Sequence, residues 1–123
     1  MSSRRLILVL DDDMSVLRAL ERLLKAREFD VESFHTIDGF MQRANLREAA
    51  CLVLDINLNG FSGIELKRKI TETGIAPPVI FITARDDDVT RRAALSVGCA
   101  AYLLKPFSSR DLVAAIEAVQ DAR

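Results

Sequence analysis

Leu6 to Leu10 is an unbroken apolar run that stops at three acids, Asp11, Asp12 and Asp13. So short a run suits a strand buried on both faces of a parallel sheet rather than a helix. From Met14 to Glu28 the period changes: Val16, Leu17, Leu20, Leu23 and Leu24 recur at helical spacing, with Arg18, Glu21, Arg22 and Lys25 facing away. The two patterns then alternate to the end of the chain. Val31 to Phe34 predicts a second strand, Thr36 the cap of a short helix through Ala44, and Cys51 to Leu54 a third strand ending at Asp55. Asn59, Gly60, Ser62 and Gly63 predict a loop, and Ile64 to Thr73 a helix stopped by Gly74. Pro77 and Pro78 then enforce an extended entry into a fourth strand, Val79 to Ile82. Asp86 to Val97 predicts a helix ended by Gly98, and Ala101 to Leu104 a fifth strand. Ser108 or Ser109 caps a last helix, Ser109 to Gln120, with Leu112, Ala115, Ile116 and Val119 inward.

Five strands alternating with five helices imply a parallel sheet covered on both sides by right-handed crossovers. No repeat, low-complexity tract or linker interrupts residues 1–123, which are expected to form one domain. Half the residues are hydrophobic and 28% charged, enough for a core without disulfide or metal staples and incompatible with disorder as the main state. A net charge of -1 provides no basic field for phosphate backbones, so no direct nucleic-acid binding is expected of this segment. The longest apolar runs are strand-sized, and the arginines within Met1 to Arg5 are followed by an apolar stretch that ends in acids. Neither a membrane span nor a signal peptide is expected, which places the chain in the cytoplasm. Cys51 and Cys99 lack metal-ligand spacing and read as small buried hydrophobes.

In such sheets the ligand site lies beyond the carboxyl ends of the strands, near the switch in strand order. Here those ends carry Asp11 and Asp12, Asp55, Thr83 and Lys105. Taken singly, each has an ordinary explanation. An acid after a strand is often a solvated helix start, with Asp12 or Asp13 as N-cap; a lysine is a surface charge and a threonine a β-branched strand residue. Jointly they do not, because a fold without a site has no reason to set acid, acid, hydroxyl and amine at four strand ends. Converging carboxylates raise one another's pKa unless a cation sits among them. Mg2+, with Mn2+ as a substitute, suits Asp12, Asp55 and the backbone carbonyl of Asn57, leaving Asp11 as the acid behind the ligands.

Leu-Asp-Asp-Asp after strand one, Leu-Asp-Ile-Asn-Leu-Asn-Gly-Phe-Ser-Gly after strand three, Ile-Thr-Ala after strand four and Lys-Pro-Phe after strand five together resemble the receiver domain of two-component response regulators. The resemblance covers essentially the whole chain, and order and spacing are most similar to receivers of the nitrogen-fixation regulator group, which precede a helix-turn-helix output. It implies a flavodoxin-like (βα)5 three-layer sandwich with a parallel sheet in order 2-1-3-4-5. One departure is visible: Asn59 stands where proline is common, which leaves every ligand in place.

By this resemblance Asp55 is the phosphoacceptor, taking a phosphoryl group from a sensor histidine kinase, with Lys105 and Thr83 stabilising the phosphoryl oxygens. A cis Lys105–Pro106 peptide is expected. The lone histidine, His35, falls at the end of strand two as a structural or surface residue. Tyr102 matches the aromatic switch position and is otherwise a half-packed strand residue; in the switch reading phosphorylation draws in Thr83 and Tyr102 turns behind it. Arg85 and Asn57, at opposite rims, are expected to set the phosphate's lifetime. Met14, Ser15, Arg18 and Phe107 are the candidates for kinase docking, Met14 being equally well suited to packing.

Val113 and Ala114 fall outside the inner face of the last helix. They point to a monomer that self-associates on phosphorylation through helix four, strand five and helix five, or through helices one and five; otherwise Val113 is an isolated exposed apolar residue. The rival readings are a degenerate receiver acting only as a protein-interaction domain, and an aspartyl-phosphate phosphatase of the haloacid-dehalogenase type. The phosphatase needs a second acid where this chain has Asn57. A flavin or dinucleotide module needs a phosphate loop where this chain has three aspartates. The receiver either stands alone or precedes an effector domain.

Overall fold

The computed structural model describes residues 5–121, with side chains through residue 119. Met1–Arg4, part of the stretch weighed above as a signal peptide, and the side chain of Gln120 lie outside the described residues. The elements are β1 (Leu6–Leu10), α1 (Met14–Ala26), β2 (Asp30–Phe34), α2 (Ile37–Arg43), β3 (Ala49–Asp55), β4 (Asn57–Leu58), β5 (Phe61–Ser62), α3 (Gly63–Glu72), β6 (Val79–Thr83), α4 (Asp88–Ser96), β7 (Ala101–Leu104) and α5 (Ser109–Asp121). Five strands form one parallel sheet in the order β2-β1-β3-β6-β7, which is the expected 2-1-3-4-5 once the small β4-β5 hairpin is counted separately.

Alternation along the strands builds two cores, because successive side chains leave opposite faces. Ile7, Val9, Val53 and Ile82 meet Leu17, Leu20 and Leu24 of α1 and Leu112 and Ile116 of α5. Leu8, Leu10, Leu54 and Phe81 meet Phe40 of α2, Leu66 and Ile70 of α3 and Ala94 of α4. Both faces are covered, which is why the central strands read as continuous apolar runs.

Five details differ from the sequence reading. The loop after Asp55 is a tight hairpin: Asn59 and Gly60 both have positive φ, 48° and 91°, as a two-residue Asn-Gly turn requires. α1 ends at Ala26, and Glu28 turns the chain at φ 67° toward β2. α4 starts at Asp88, two residues after the expected Asp86, because Asp87 caps it by accepting from the Thr90 amide. On α5 the buried arc takes in Val113, only 4% exposed, along with Leu112 and Ile116, while Ala115 and Val119 are half-buried. Val113 is therefore packed and offers no exposed apolar surface. Cys51 is buried, which pushes its thiol up to about 12, whereas Cys99 is only half-buried.

Candidate functional site

The parallel register lines up the strand ends. Ile56 donates its amide to the Ile82 carbonyl at 3.0 Å, and Lys105 to the Thr83 carbonyl at 2.8 Å, so the residues after β1, β3, β6 and β7 open on one crevice. Carboxylate oxygens of Asp11, Asp12 and Asp55 all lie within 4.8 Å of one another there.

The three consecutive aspartates divide their work. Asp13 caps α1, accepting from the amides of Ser15 and Val16 at 2.8 and 3.3 Å. Asp11 is fully buried; one oxygen accepts from the Asp13 amide at 2.9 Å and the other from Lys105 Nζ at 2.8 Å. Asp12 is exposed and, among the described residues, accepts no hydrogen bond. That leaves its carboxylate available to a ligand.

Asp55 is 4% exposed and lies 3.5 Å from Lys105 Nζ; one of its oxygens accepts from the Asn57 amide at 3.3 Å. Burial, and next the charge of Asp11, push its pKa up from 3.8 to about 6, against the opposing pull of Lys105. For Lys105 burial works to lower the pKa, but the hydrogen bond and charge of Asp11 and then of Asp55 outweigh it and hold the ammonium above its ordinary range. One ammonium thus pairs with two of the three clustered carboxylates, Asp11 and Asp55. A hard divalent cation held by oxygen ligands fits that donor set.

Thr83, fully buried, accepts at Oγ1 from Asn57 Nδ2 at 3.2 Å and from the Arg85 amide at 3.1 Å. With two bonds accepted, its single hydroxyl proton is left to donate. Arg85 enters the site through its backbone, since its carbonyl also accepts from the Tyr102 hydroxyl at 3.2 Å. The Lys105–Pro106 peptide is cis. Met14, Ser15 and Arg18 are exposed on α1, Phe107 is half-buried, and His35 is exposed just past β2.

Sequence reasoning did not anticipate the Asp11–Lys105 ion pair, the Asn57 side chain on Thr83, or Gly63. The amide of Gly63 donates to the Ile56 carbonyl at 2.8 Å and pins α3 to the strand end that carries Asp55. The Asn59-Gly60 pair was the signal for that hairpin.

An acid-lined crevice at the switch point of a doubly wound parallel sheet, closed by a threonine and a lysine from the next strands, defines a receiver-type signalling site. The response regulator receiver domain model matches residues 7–117, and the chain belongs to that family of two-component signalling domains. It is 34% identical over 112 residues to the response regulator protein TodT of Pseudomonas putida, a match covering 91% of this chain and 49% of TodT. The chain spans about half the length of the curated relatives it matches. Among solved structures, the response regulator StyR is 36% identical with a TM-score of 0.88, over 98% of this chain and 61% of StyR. The BeF3-activated receiver domain of Thermotoga maritima DrrB is 28% identical with a TM-score of 0.87, over 97% and 99% of the two chains. Among the described residues no helix is long and apolar enough to cross a membrane.

Proposed function

We infer that this domain accepts a phosphoryl group on Asp55 from a phosphohistidine of a sensor kinase and passes the signal to the surface of α4, β7 and α5. The observation that carries the reading is the placement of Asp55: a buried carboxylate with Asp12 on one side and a shared lysine on the other. A carboxylate with a pKa of about 6 is mostly ionised at neutral pH, so it needs no general base. One oxygen of Asp55 forms the new P–O bond as the P–N bond of the phosphohistidine breaks and the imidazole leaves with the electron pair.

Lys105, held charged by Asp11, neutralises one phosphoryl oxygen, and the free proton of Thr83 donates to another. Asp12, Asp55 and the Asn57 carbonyl would hold Mg2+, or Mn2+ in its place, which supplies charge neutralisation to the phosphoryl group when bound. Asn57 and Arg85, both bonded to Thr83, flank that group and govern how long it lasts.

Kinase docking is read at Met14, Ser15, Arg18 and Phe107. Of these, Phe107 lines an apolar groove of about 680 Å³ together with Val16, Leu20, Leu23 and Pro106, and the groove reaches Lys105. For self-association after phosphorylation the exposed apolar residues favour the α4 side, where Val89 and Leu95 are 78% and 60% exposed, over the pairing of α1 with α5. The output read from the resemblance is a helix-turn-helix domain on the same polypeptide, regulating transcription in the cytoplasm.

Incubation with acetyl phosphate should label the protein only with Mg2+, acetate leaving as Asp55 takes the phosphoryl group, and Asp55→Asn should abolish labelling. Full-rate labelling of the variant would overturn the assignment. Asp12→Ala should weaken Mg2+ binding at least tenfold and more than Asp11→Ala, because Asp11 already has both oxygens engaged by Lys105 and the Asp13 amide. Superimposable titration curves for the two variants would contradict that division.

A further inference from the structure

Between β6 and α4 the chain crosses a short loop, and the Arg85 peptide within it has no strand partner. Two bonds hold that peptide: its amide donates to Thr83 Oγ1 at 3.1 Å and its carbonyl accepts from the Tyr102 hydroxyl at 3.2 Å. Tyr102 lies in β7 in register with Phe81, so the sheet fixes its backbone and the position of its ring is set by the ring's own contacts. Arg91 of α4 occupies the face of that ring. Its guanidinium lies 5.1 Å from the ring centroid, and the same group donates to Asp86 Oδ1 at 3.0 Å. A planar cation tied at one edge to a carboxylate favours one place over the ring, so the ring is held at its face by Arg91 and at its hydroxyl by the Arg85 carbonyl.

We propose that Arg91 is a positioning residue for the Thr83 hydroxyl: by clamping Tyr102 onto the Arg85 carbonyl it keeps the Arg85 amide on Thr83, and with it the one free hydroxyl proton aimed into the acceptor pocket. The proposal rests on Asp55 being the phosphoacceptor. It assigns the α4 surface a part in the chemistry, because whatever contacts Arg91 acts on Thr83 through three residues. By linkage, phosphoryl binding tightens the clamp in return.

The chain has one tyrosine and no tryptophan, so its intrinsic fluorescence reports Tyr102 alone. Arg91→Ala should at least double the acrylamide quenching constant of that emission. At saturating Mg2+ the variant should bind BeF3− roughly two- to fivefold more weakly by calorimetry, the range an exposed cation–π contact supports. Its Mg2+ affinity should stay unchanged, since Arg91 touches neither Asp12 nor Asp55. Arg91→Lys should fall between, and Arg91→Ala combined with Tyr102→Phe should bind BeF3− no more weakly than Tyr102→Phe alone. Unchanged BeF3− binding by Arg91→Ala, a parallel loss of Mg2+ affinity, or additive losses in the double variant would each overturn the positioning role. Wild-type protein that binds no BeF3− would instead overturn the phosphoacceptor reading itself.

Discussion

Asp55→Asn should make the metal-free protein more stable than the wild type at pH 8, by up to about 3 kcal/mol, and the advantage should shrink to about 0.5 kcal/mol at pH 4. Asp55 titrates at about 6 in the folded protein against an ordinary value of 3.8, because it is buried and faces Asp11. The folded state therefore keeps a proton that the unfolded chain releases. Below pH 3.8 both states are protonated and the stabilisation from this group is complete; it fades as the pH rises toward 6 and is lost above that. Asparagine keeps the shape, cannot ionise and escapes the loss. Urea denaturation of both proteins from pH 4 to 8 in a chelator gives the difference directly: Asp87, held low by its bonds to Thr90, contributes equally to both, and Lys105, raised from an ordinary value already far above this window, stays charged across it in the wild type. Saturating Mg2+ should then close the gap at pH 8 from the wild-type side, since a ligand that binds only the native state adds stability by mass action. Parallel stability curves across the pH range would show that Asp55 pays no such penalty.

The same crowding of carboxylates explains what the sequence could and could not disclose. Strands were legible because burial on both faces leaves runs such as Leu6–Leu10 and Val79–Ile82 without a polar interruption. Helices showed through their stripes and caps; Thr36 caps α2 as its side-chain chemistry allows, whereas Ser62, read as loop, turned out to cap α3. The convergence of Asp11, Asp12, Asp55, Thr83 and Lys105 followed from topology alone, since every parallel strand ends at the same edge. Their division of labour followed only in part. The sequence put Asp12 forward as the ligand with Asp11 behind it, but it left the helix cap open between Asp12 and Asp13 and gave no sign that Asp11 pairs with Lys105, because both depend on how the chain leaves β1 in space.

Val113 shows a second limit. Helical periodicity placed it outside the inner face, yet a helix lying across a sheet buries a wider arc than one stripe, and on α5 that arc turns toward Val113. Arg91 and Tyr102 show a third. They are 11 positions apart on different elements, and only the packing of α4 beside β7 puts the guanidinium over the ring.

Gly63→Ala should be the most damaging single methyl group in the domain. A Cβ at Gly63 would stand 2.3 Å from the Asp55 carbonyl oxygen, 3.1 Å from the Asp55 carbonyl carbon and 3.2 Å from the Ile56 Cα. All three are backbone, so no side chain can swing aside; either α3 or the end of β3 must move. Glycine is required there by close approach and not by its own dihedral angles, because Gly63 is helical and alanine would otherwise gain up to about 1 kcal/mol of helix propensity. Overpacking of a rigid contact outweighs that gain, and a net loss of about 2 kcal/mol is expected in urea denaturation. The larger effect should fall on the chemistry. Shifting the Asp55 backbone moves its carboxylate relative to Lys105 and Thr83, and a displacement near 1 Å costs on the order of 100-fold in rate. Gly74→Ala is the control: Gly74 sits at φ 85° with open space around its Cβ position. It should lose about 1 kcal/mol of stability through backbone strain while the folded protein labels with acetyl phosphate at the wild-type rate. If Gly63→Ala behaves like Gly74→Ala, unfolding more easily yet labelling normally once folded, then α3 gives way without disturbing Asp55, and the contact is structural rather than a determinant of the acceptor's position.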